Sequence, residues 1–405
     1  MQTIHNARTY WLITLSAAAV LMITMGARQS MGLFVSPINT TTGLGLTTIS
    51  LALAVSQFVW GAIQPVAGAV ADRYGPGRVL AAGIVVLALG TAIIPFMESG
   101  VGMIFAIGLL SAAGAGAGSF SVLIGAAAQR LPLEKRGMAS GIINAGGSFG
   151  QFVFAPLLQK LISMFGWMGA LWSMAIITLA SLPLTRTLRG QPKPAAVAGA
   201  PAEQTLRAAM REAFGDRSYL LLHAGFFTCG FHIAFLVTHL PGEVAFCGLP
   251  ADVASWSLAL IGLANIAGSL YAGWCVQGYR SKMVLFWMYA SRALLVILYL
   301  MAPKTEITFY LFAIGLGFTW LATVPPTATL VGKLFGTRYL STLFGMTLLS
   351  HQVGGFLGAY LGGLAFVGYG NYDLMWYADI ALASAAALLN LPIREAKMPA
   401  RAVPA

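Results

Sequence analysis

The feature that most constrains this chain is a series of long apolar segments separated by short polar breaks. Each segment approaches the ~20 apolar residues that a helix needs to cross the hydrocarbon core of a bilayer. The composition agrees, because 58% of the 405 residues are hydrophobic and only 9% are charged. A water-soluble domain carries about 25% charged residues. The sequence therefore predicts an all-α membrane protein.

The apolar runs predict twelve transmembrane helices in two bundles of six. They cover residues 10–37, 46–71, 79–97, 101–128, 138–162, 166–186, 218–241, 252–277, 283–302, 307–331, 340–366 and 373–392. A polar stretch that ends in a short amphipathic piece separates the sixth segment from the seventh. The predicted organisation is an N-terminal bundle over 1–186, a cytoplasmic linker over 187–217 and a C-terminal bundle over 218–405.

The basic residues lie almost entirely on one side of the predicted helices. Nineteen of the 23 lysines and arginines fall in loops on the side that both termini share, and the opposite loops contain Lys160 and Lys304. Cytoplasmic loops of membrane proteins carry such an excess. Both termini are therefore predicted to be cytoplasmic, in a multi-pass protein of the inner (cell) membrane. The net charge of +11 follows from this topology and not from a nucleic-acid-binding patch.

Several functional classes find no support in the residue patterns. The cysteines, Cys229, Cys247 and Cys275, form no CxxC spacing and no even disulfide framework. The sequence has no HExxH motif, no paired intramembrane aspartates and no supported Ser/His dyad, so we predict neither an enzyme nor a cofactor or metal site. A non-transporting sensor stays open, although such proteins usually add a cytoplasmic domain and the longest loop here is 187–217.

The two halves repeat each other's glycine pattern. The segment 67–78 that closes the second helix returns in degraded form at 272–280, which closes the eighth. Gly146, Gly147 and Gly150 of the fifth helix recur as Gly354, Gly355 and Gly358 of the eleventh. Such a parallel duplication predicts two bundles that rock about a central site near the membrane midplane.

The turn after the second helix carries the most specific motif. Its spacing, Gly68-x-x-x-Asp72-Arg73-Tyr74-Gly75-x-Gly77-Arg78, combines a close-packing glycine, an acid and two surface cations. Asp72 can accept hydrogen bonds from the N-terminus of a neighbouring helix, where the partial charge is positive. We interpret Gly68, Asp72, Arg73, Gly75 and Arg78 as a conformational latch; the alternative is a plain basic loop that obeys topology.

Two cations are predicted inside the membrane, Arg28 near the middle of the first helix and Arg292 near the middle of the ninth. A charge at the bilayer centre costs about 2.5–3.5 kcal/mol on insertion scales, so each position needs a reason. Asp379 and Glu243 are expected toward the outer ends of their helices and do not neutralise them. An anionic ligand would do so for Arg28. An anionic ligand is also one hypothesis for Arg292, and the alternative is that Arg292 makes an interhelical hydrogen bond.

Polar side chains on other predicted helices supply further candidates. His232 and His239 share one face of the seventh helix, and because histidine titrates near neutrality they are predicted proton-coupling residues. His351, Gln57 and Asn144 are predicted to line the substrate site. The alternatives are a neutral structural histidine and hydrogen bonds that join two helices.

The motif at 68–78 resembles the signature of the major facilitator superfamily, and the resemblance covers essentially the whole chain. Within it, the run 26–34, Gly-Ala-Arg-Gln-Ser-Met-Gly-Leu-Phe, is similar to the first helix of the monocarboxylate and oxalate/formate porters, whose monocarboxylate members carry Lys at the position of Arg28. The resemblance implies transport of a small carboxylate, often with a proton. An acid and an arginine usual in the eighth helix are replaced by Asn265 and Ser269, and Arg292 or the histidines are candidates to compensate.

The sequence and the resemblance together predict a secondary active transporter. Its expected partners are a small organic anion, protons and the lipid bilayer, and it is expected to function as a monomer by alternating access. The alternative is an exporter of a drug or of a neutral or anionic metabolite with the same fold. A pump for cationic drugs is disfavoured, because it needs a membrane carboxylate where this chain has Arg28.

Topology provides the first test. In a variant whose three native cysteines are replaced by serine, Lys304→Cys should react with an impermeant maleimide on intact cells. Ala195→Cys, in the predicted cytoplasmic linker, should react only after the membrane is permeabilised. Labelling of Ala195→Cys but not of Lys304→Cys would reverse the orientation.

Overall fold

The computed structural model describes residues 7–189 and 204–395, and within these ranges all regular structure is helical. The greater part of the predicted linker, residues 190–203, lies outside the described residues. The division into two bundles at 187–217 therefore stays a prediction.

The first half of the described chain contains eight α-helices. They are α1 (Ala7–Gln29), α2 (Val35–Thr42), α3 (Leu46–Tyr74), α4 (Pro76–Ile93), α5 (Gly100–Met103), α6 (Ala112–Ala117), α7 (Phe120–Arg130) and α8 (Leu133–Ala180). Short 3-10 helices cover Ser30–Phe34, Ile94–Phe96 and Leu182–Arg186, and a π-helix covers Ile104–Ser111. α8 turns sharply at Gly166, whose φ of 69° is the left-handed conformation that glycine adopts readily.

The second half of the described chain contains eight more. They are α9 (Leu206–Gly215), α10 (Arg217–Phe246), α11 (Ala251–Gly278), α12 (Ser281–Met301), α13 (Glu306–Thr319), α14 (Val324–Phe335), α15 (Leu340–Tyr369) and α16 (Asp373–Asn390). The backbone between α13 and α14 is not helical. Pro325 and Pro326 in the first turn of α14 lack amide protons, so the helix cannot run through this point without losing hydrogen bonds.

Nine helices within the described residues are long and apolar enough to cross a membrane. They correspond to nine of the twelve predicted segments. The other three, 138–162, 340–366 and 373–392, are helical as parts of α8, α15 and α16. That these three also cross the membrane stays a prediction.

The two halves of the chain use the same helix packing. In α8, Gly146 and Gly150 lie against the backbone of α1, where an added methyl group would stand 2.6 and 2.1 Å from the Ala18 and Met22 carbonyl oxygens. In α15, Gly354 and Gly358 pack in the same way on Phe227 and Phe231 of α10, at 2.0 and 2.1 Å. The glycine repeat in the sequence thus marks equivalent close contacts between helix backbones.

One end of the bundle carries both ends of the described chain, and we call it the terminal face. Tyr10 at the start of α1 stacks with Lys135, and Lys282 donates to the Leu391 and Ile393 carbonyl oxygens beyond α16. Described basic residues from several helix ends and turns predicted to be cytoplasmic lie on this face, among them Arg136, Arg280 and Lys333. The opposite face carries Lys304 and the turn at Gly166.

The halves contact each other mainly through α3 with α15 and α8 with α11. Glycines bring these backbones together: a methyl group at Gly345 would lie 2.8 Å from Pro65, and one at Gly141 would lie 2.6 Å from the Ser269 carbonyl oxygen. These contacts cluster in the portion of each helix near the terminal face. In this conformation the terminal face is closed.

The Asp72 carboxylate lies at the centre of this closure. Its Oδ2 accepts from the Thr342 backbone NH at 2.8 Å and from the Thr342 hydroxyl at 2.7 Å, in the first turn of α15. Its Oδ1 accepts from Gln129 of α7 at 3.1 Å. Gly68 permits the approach, because a methyl group there would lie 2.4 Å from the Ser341 carbonyl oxygen. An anion is favourable at a helix N-terminus, so this bond between the halves is charge-assisted.

The remaining residues of the predicted latch stand around this contact. Arg73 is exposed and stacks on Tyr74 at 5.1 Å. Gly75 ends α3 with φ of 96°, a conformation that disfavours other residues. Arg78 is exposed in the first turn of α4. None of these three bridges the halves through a contact comparable to that of Asp72, so their part in a latch stays a prediction.

Replacing Asp72 should loosen the terminal face. A hydrogen bond to a charged group contributes about 1.5–3 kcal/mol, so Asp72→Asn should raise the open-to-closed ratio at least about tenfold. Spin labels at exposed Arg78 and Arg280, in opposite halves, would report this by double electron–electron resonance. Arg73→Gln, which removes a neighbouring exposed charge, is the control. An unchanged distance distribution in Asp72→Asn would mean that the carboxylate does not hold this face closed.

Candidate functional site

Arg28 occupies the last turn of α1, where the helix changes to the 3-10 segment Ser30–Phe34. It therefore lies beyond the middle of the apolar span Arg8–Phe34, and not at its centre as the sequence predicted. Its guanidinium carbon stands 4.3 Å from the centroid of the Trp60 ring, and one nitrogen donates to Gln57 Oε1. Partial negative charge on the carbonyl groups at the end of α1 favours a cation here.

Arg28 is half-buried and has no carboxylate partner among the described residues. Its Nε is buried without a hydrogen-bond acceptor in that part of the chain. The guanidinium lies over the Trp60 ring, and Gln57 accepts from one of its five N–H donors. The free donors form a planar fork that matches a carboxylate.

The structure connects three of the predicted substrate residues in one chain of contacts. Gln352 of α15 donates to the Gln57 backbone carbonyl at 3.1 Å and shares a 3.0 Å hydrogen bond with His351 Nδ1. Gly61 makes room for Gln352, because a methyl group at that glycine would stand 2.5 Å from its side chain. Arg28, Gln57 and His351 are thus linked across both halves of the protein.

Asn144, the other predicted substrate residue, lies apart from Arg28 and is fully buried. Its amide donates to Ser269 Oγ and to the Leu321 carbonyl oxygen, both at 2.7 Å. Asn265 completes the set, donating to Ser148 at 2.5 Å and accepting from the Leu321 NH at 2.9 Å. These contacts form a neutral network between α8, α11 and the break after α13.

Arg292 is completely buried and turns toward the break between α13 and α14. It donates to the carbonyl oxygens of Thr319 and Trp320 at 2.5 and 2.9 Å, and to Cys229 Sγ at 3.5 Å. These are the carbonyl groups that a helix end leaves without partners. The contacts are those of the interhelical alternative, and a substrate role for Arg292 stays a prediction.

His232 and His239 have different environments although they share a helix face. His232 Nδ1 is hydrogen-bonded to Asp379 Oδ2 of α16, and both side chains are fully buried. His239 contacts the Ala359 carbonyl oxygen at 2.8 Å and packs on Tyr372. Asp379 lies in the first half of α16, and no ion pair joins it to Arg28 or Arg292 among the described residues. Its burial and its bond to His232 were not predicted, and they arise because α16 packs along α10.

Sequence reasoning also missed Trp60, Gln352 and Cys229, which are uncharged residues in apolar segments. Nothing in their spacing separates them from residues that only pack between helices. The charge of Asp379 was visible in the sequence, but its bond to His232 was not. Among the described residues, no three His, Cys, Asp or Glu side chains converge as a metal site would require.

The terminal face also holds a cavity of about 530 Å³ between the halves, lined by charged groups that include Arg136, Arg280 and Lys333. Glu395 closes one side of it. Burial raises the pKa of Glu395, but Lys333 and the backbone NH groups of Ser281 and Lys282 outweigh that effect and hold its pKa below the ordinary value. This carboxylate therefore stays ionised and fixes the chain after α16 to the terminal face.

Comparisons with known proteins place the fold. The Major Facilitator Superfamily model matches residues 17–359. Monocarboxylate transporter 13 of Rattus norvegicus is 27% identical, over 94% of this chain and 89% of its own. The oxalate:formate antiporter of Oxalobacter formigenes is 22% identical, over 89% of this chain and 86% of its own.

Solved structures agree with this assignment at the level of the fold. The structure of the E. coli fucose:proton symporter superposes with a TM-score of 0.72 at 14% identity, covering 95% of this chain and 98% of that one. The structure of a proton:xylose symporter bound to 6-bromo-6-deoxy-D-glucose superposes with a TM-score of 0.70 at 14% identity, covering 95% of this chain and 95% of that one. The family model, the relatives and the fold agree: this chain belongs to the Major Facilitator Superfamily and is a multi-pass membrane transporter.

Proposed function

We propose that this protein is a secondary active transporter that moves a small organic anion of the monocarboxylate type by alternating access, through proton coupling or exchange. The single observation that carries the proposal is Arg28, an intramembrane cation with free donors and no acidic partner in the described chain. The proposal includes an inner-membrane location, cytoplasmic termini and a monomeric unit.

The chemistry of the site supports an anion as the ligand. A cation in a poorly hydrated site is unfavourable until an anion or strong acceptors neutralise it. A carboxylate can take two parallel hydrogen bonds from a guanidinium, and that of Arg28 lies over the Trp60 ring, which leaves most of its donors free. The relatives named for monocarboxylate and for oxalate and formate are consistent with such a ligand.

The closed terminal face supports transport by alternating access. In the conformation described, Asp72 and the Asn144–Ser269 contact join the halves on one side of Arg28. Breaking these contacts and forming others on the opposite side would expose Arg28 alternately to the two faces. Rocking of two repeats about a fixed midplane site is the expected motion of such a fold.

Arg28→Gln should abolish most anion binding. The guanidinium–carboxylate pair would lose its charge, and an anion left unpaired in a buried site costs several kcal/mol, so affinity should fall at least about a hundredfold. Arg28→Lys should keep part of it, because only the fork geometry is lost. The measurement is calorimetry on purified protein with formate, oxalate and lactate, after a thermal-shift screen has found a ligand.

Lys160→Gln is the matched control, because it removes an equal charge from an exposed position on α8. It should bind like the wild type. Equal affinities in wild type, Arg28→Gln and Arg28→Lys would make Arg28 a structural residue and would remove the basis of the anion proposal.

A further inference from the structure

The buried pair of His232 and Asp379 joins two titratable groups from α10 and α16. Both side chains are 0% exposed. Two ionisable groups that lie so deep are costly to retain, and a well-packed apolar pair is often at least as stable. Intramembrane ionisable residues therefore indicate function more often than stability.

The hydrogen bond between the two groups already contains one proton. His232 Nδ1 and Asp379 Oδ2 would both be acceptors without it, so one proton must lie between them. A second proton has two further sites, His232 Nε2 and Asp379 Oδ1. Both atoms are buried, and neither has a hydrogen-bond partner within residues 7–189 and 204–395.

Other titratable groups approach the pair from several helices. Cys229 lies three residues before His232 on α10 and accepts from Arg292 of α12, whose charge acts on His232. Tyr289 of α12 lies beside Arg292, and His351 of α15 lies beside Cys229. Farther along α10, His239 and Glu243 are bound elsewhere, to Ala359 and Tyr299.

The charge of this cluster depends on one proton. With neutral His232, the positive Arg292 and negative Asp379 cancel. A proton added at Nε2 leaves the carboxylate ionised and gives the cluster a net charge of one positive unit. Inside a poorly hydrated bundle, the energy of that charge is far larger than in water. An anion bound at Arg28 would make that charge less unfavourable, because it removes the positive charge of Arg28.

The cluster also touches the structure that joins the halves. Arg292 holds the Thr319 and Trp320 carbonyl groups, and the Trp320 ring centroid lies 6.1 Å from that of His232. The next residue, Leu321, is bound on both its NH and its carbonyl group by Asn265 and Asn144. His232 therefore lies beside Trp320, and the next residue, Leu321, makes the contact with α8. A change of charge at His232 acts close to that contact.

We propose that the His232–Asp379 pair is the proton-binding site of the transport cycle, with Arg292 as the residue that positions the break beside it. The proposal rests on the proposed function and specifies its coupling site. A proton from solution adds to the His232 Nε2 lone pair, no other bond breaks, and the same proton leaves in the opposite conformation. Asn265 and Ser269 make neutral hydrogen bonds and offer no group that titrates near neutrality.

Transport in proteoliposomes provides the first test. The assay compares counterflow exchange with accumulation driven by a pH gradient, using ¹⁴C-labelled oxalate, pyruvate and lactate. For one proton per anion, a gradient of one pH unit supports about tenfold accumulation, because one unit corresponds to about 1.4 kcal/mol. His232→Gln and Asp379→Asn should each reduce this ratio to near one and retain exchange. Asp379→Glu, which keeps the carboxylate, should restore part of the accumulation.

His223→Gln is the matched control. His223 lies on the same helix and is hydrogen-bonded to Ser350 at 2.6 Å, without an acid, so its replacement should leave accumulation intact. Unchanged accumulation in His232→Gln or Asp379→Asn overturns the proton site. Loss of exchange together with accumulation in both variants also overturns it, since the pair would then serve structure alone.

A substrate-independent measurement separates this proposal from the proposed function. In nanodiscs, ¹⁵N-histidine spectra of the wild type should show His232 Nε2 gaining a proton as the pH falls from about 8 to the lowest value at which the protein stays folded. The His232 resonance is assigned as the signal that is absent from the spectrum of His232→Gln. If that variant does not fold, His232→Asn serves the same purpose. A single protonation state over this range overturns the proton site. Wild-type protein that exchanges none of the three carboxylates overturns the anion proposal, whatever the spectra show.

Discussion

The high cost of a charge in an apolar bundle governs the arrangement of the functional groups. Four charged side chains within the helix bundle are stabilised in different ways. Asp72 takes backbone and hydroxyl donors at the start of α15, Arg292 takes carbonyl groups left by the end of α13, and Asp379 takes a histidine. Arg28 alone among these has neutral and aromatic neighbours and free donors. The first three arrangements satisfy the charge inside the protein, whereas the fourth leaves a requirement that a ligand can meet.

The break between α13 and α14 is where several of these arrangements meet. Lipid offers no hydrogen bonds, so an interrupted helix within the membrane must have its free backbone groups satisfied by protein. Here Arg292 satisfies one part of the break, and Asn144 with Asn265 satisfies the adjoining part from α8 and α11. Pro325 and Pro326 keep the break in place. Because its bonds come from both halves, a relative movement of the halves must break or replace some of them.

Much of the fold was accessible from sequence because the bilayer imposes simple rules. Apolar length predicted the helices. The glycine repeat marked equivalent packing positions in the fifth and eleventh predicted helices, and the structure shows that their partners are α1 and α10. The contact of Asp72 with a helix N-terminus could be predicted, because every helix offers free backbone NH groups at that end. Pairings such as His232 with Asp379 or Asn265 with Ser148 were not accessible, because they depend on the rotation of each helix about its axis. Depth estimated from helix ends misplaced Arg28, whose helix converts to 3-10 earlier than the apolar run suggests.

Charge provides a reason for an anion and a proton to travel together in this protein. On the proposals above, the anion binds Arg28 in the first half, and the proton binds His232 in the second. A path of contacts joins the two sites: Gln57 and Gln352 lead from Arg28 to His351, and His351 lies beside Cys229, which Arg292 contacts. Without ligands, Arg28 is the uncompensated charge, because Arg292 and Asp379 cancel each other. A proton on His232 alone raises the net charge of these groups to two positive units, whereas a proton that binds after a monocarboxylate has bound Arg28 raises it to one. Because the two ligands carry opposite charges, each binds more favourably when the other is present, and this attraction couples the anion to the proton.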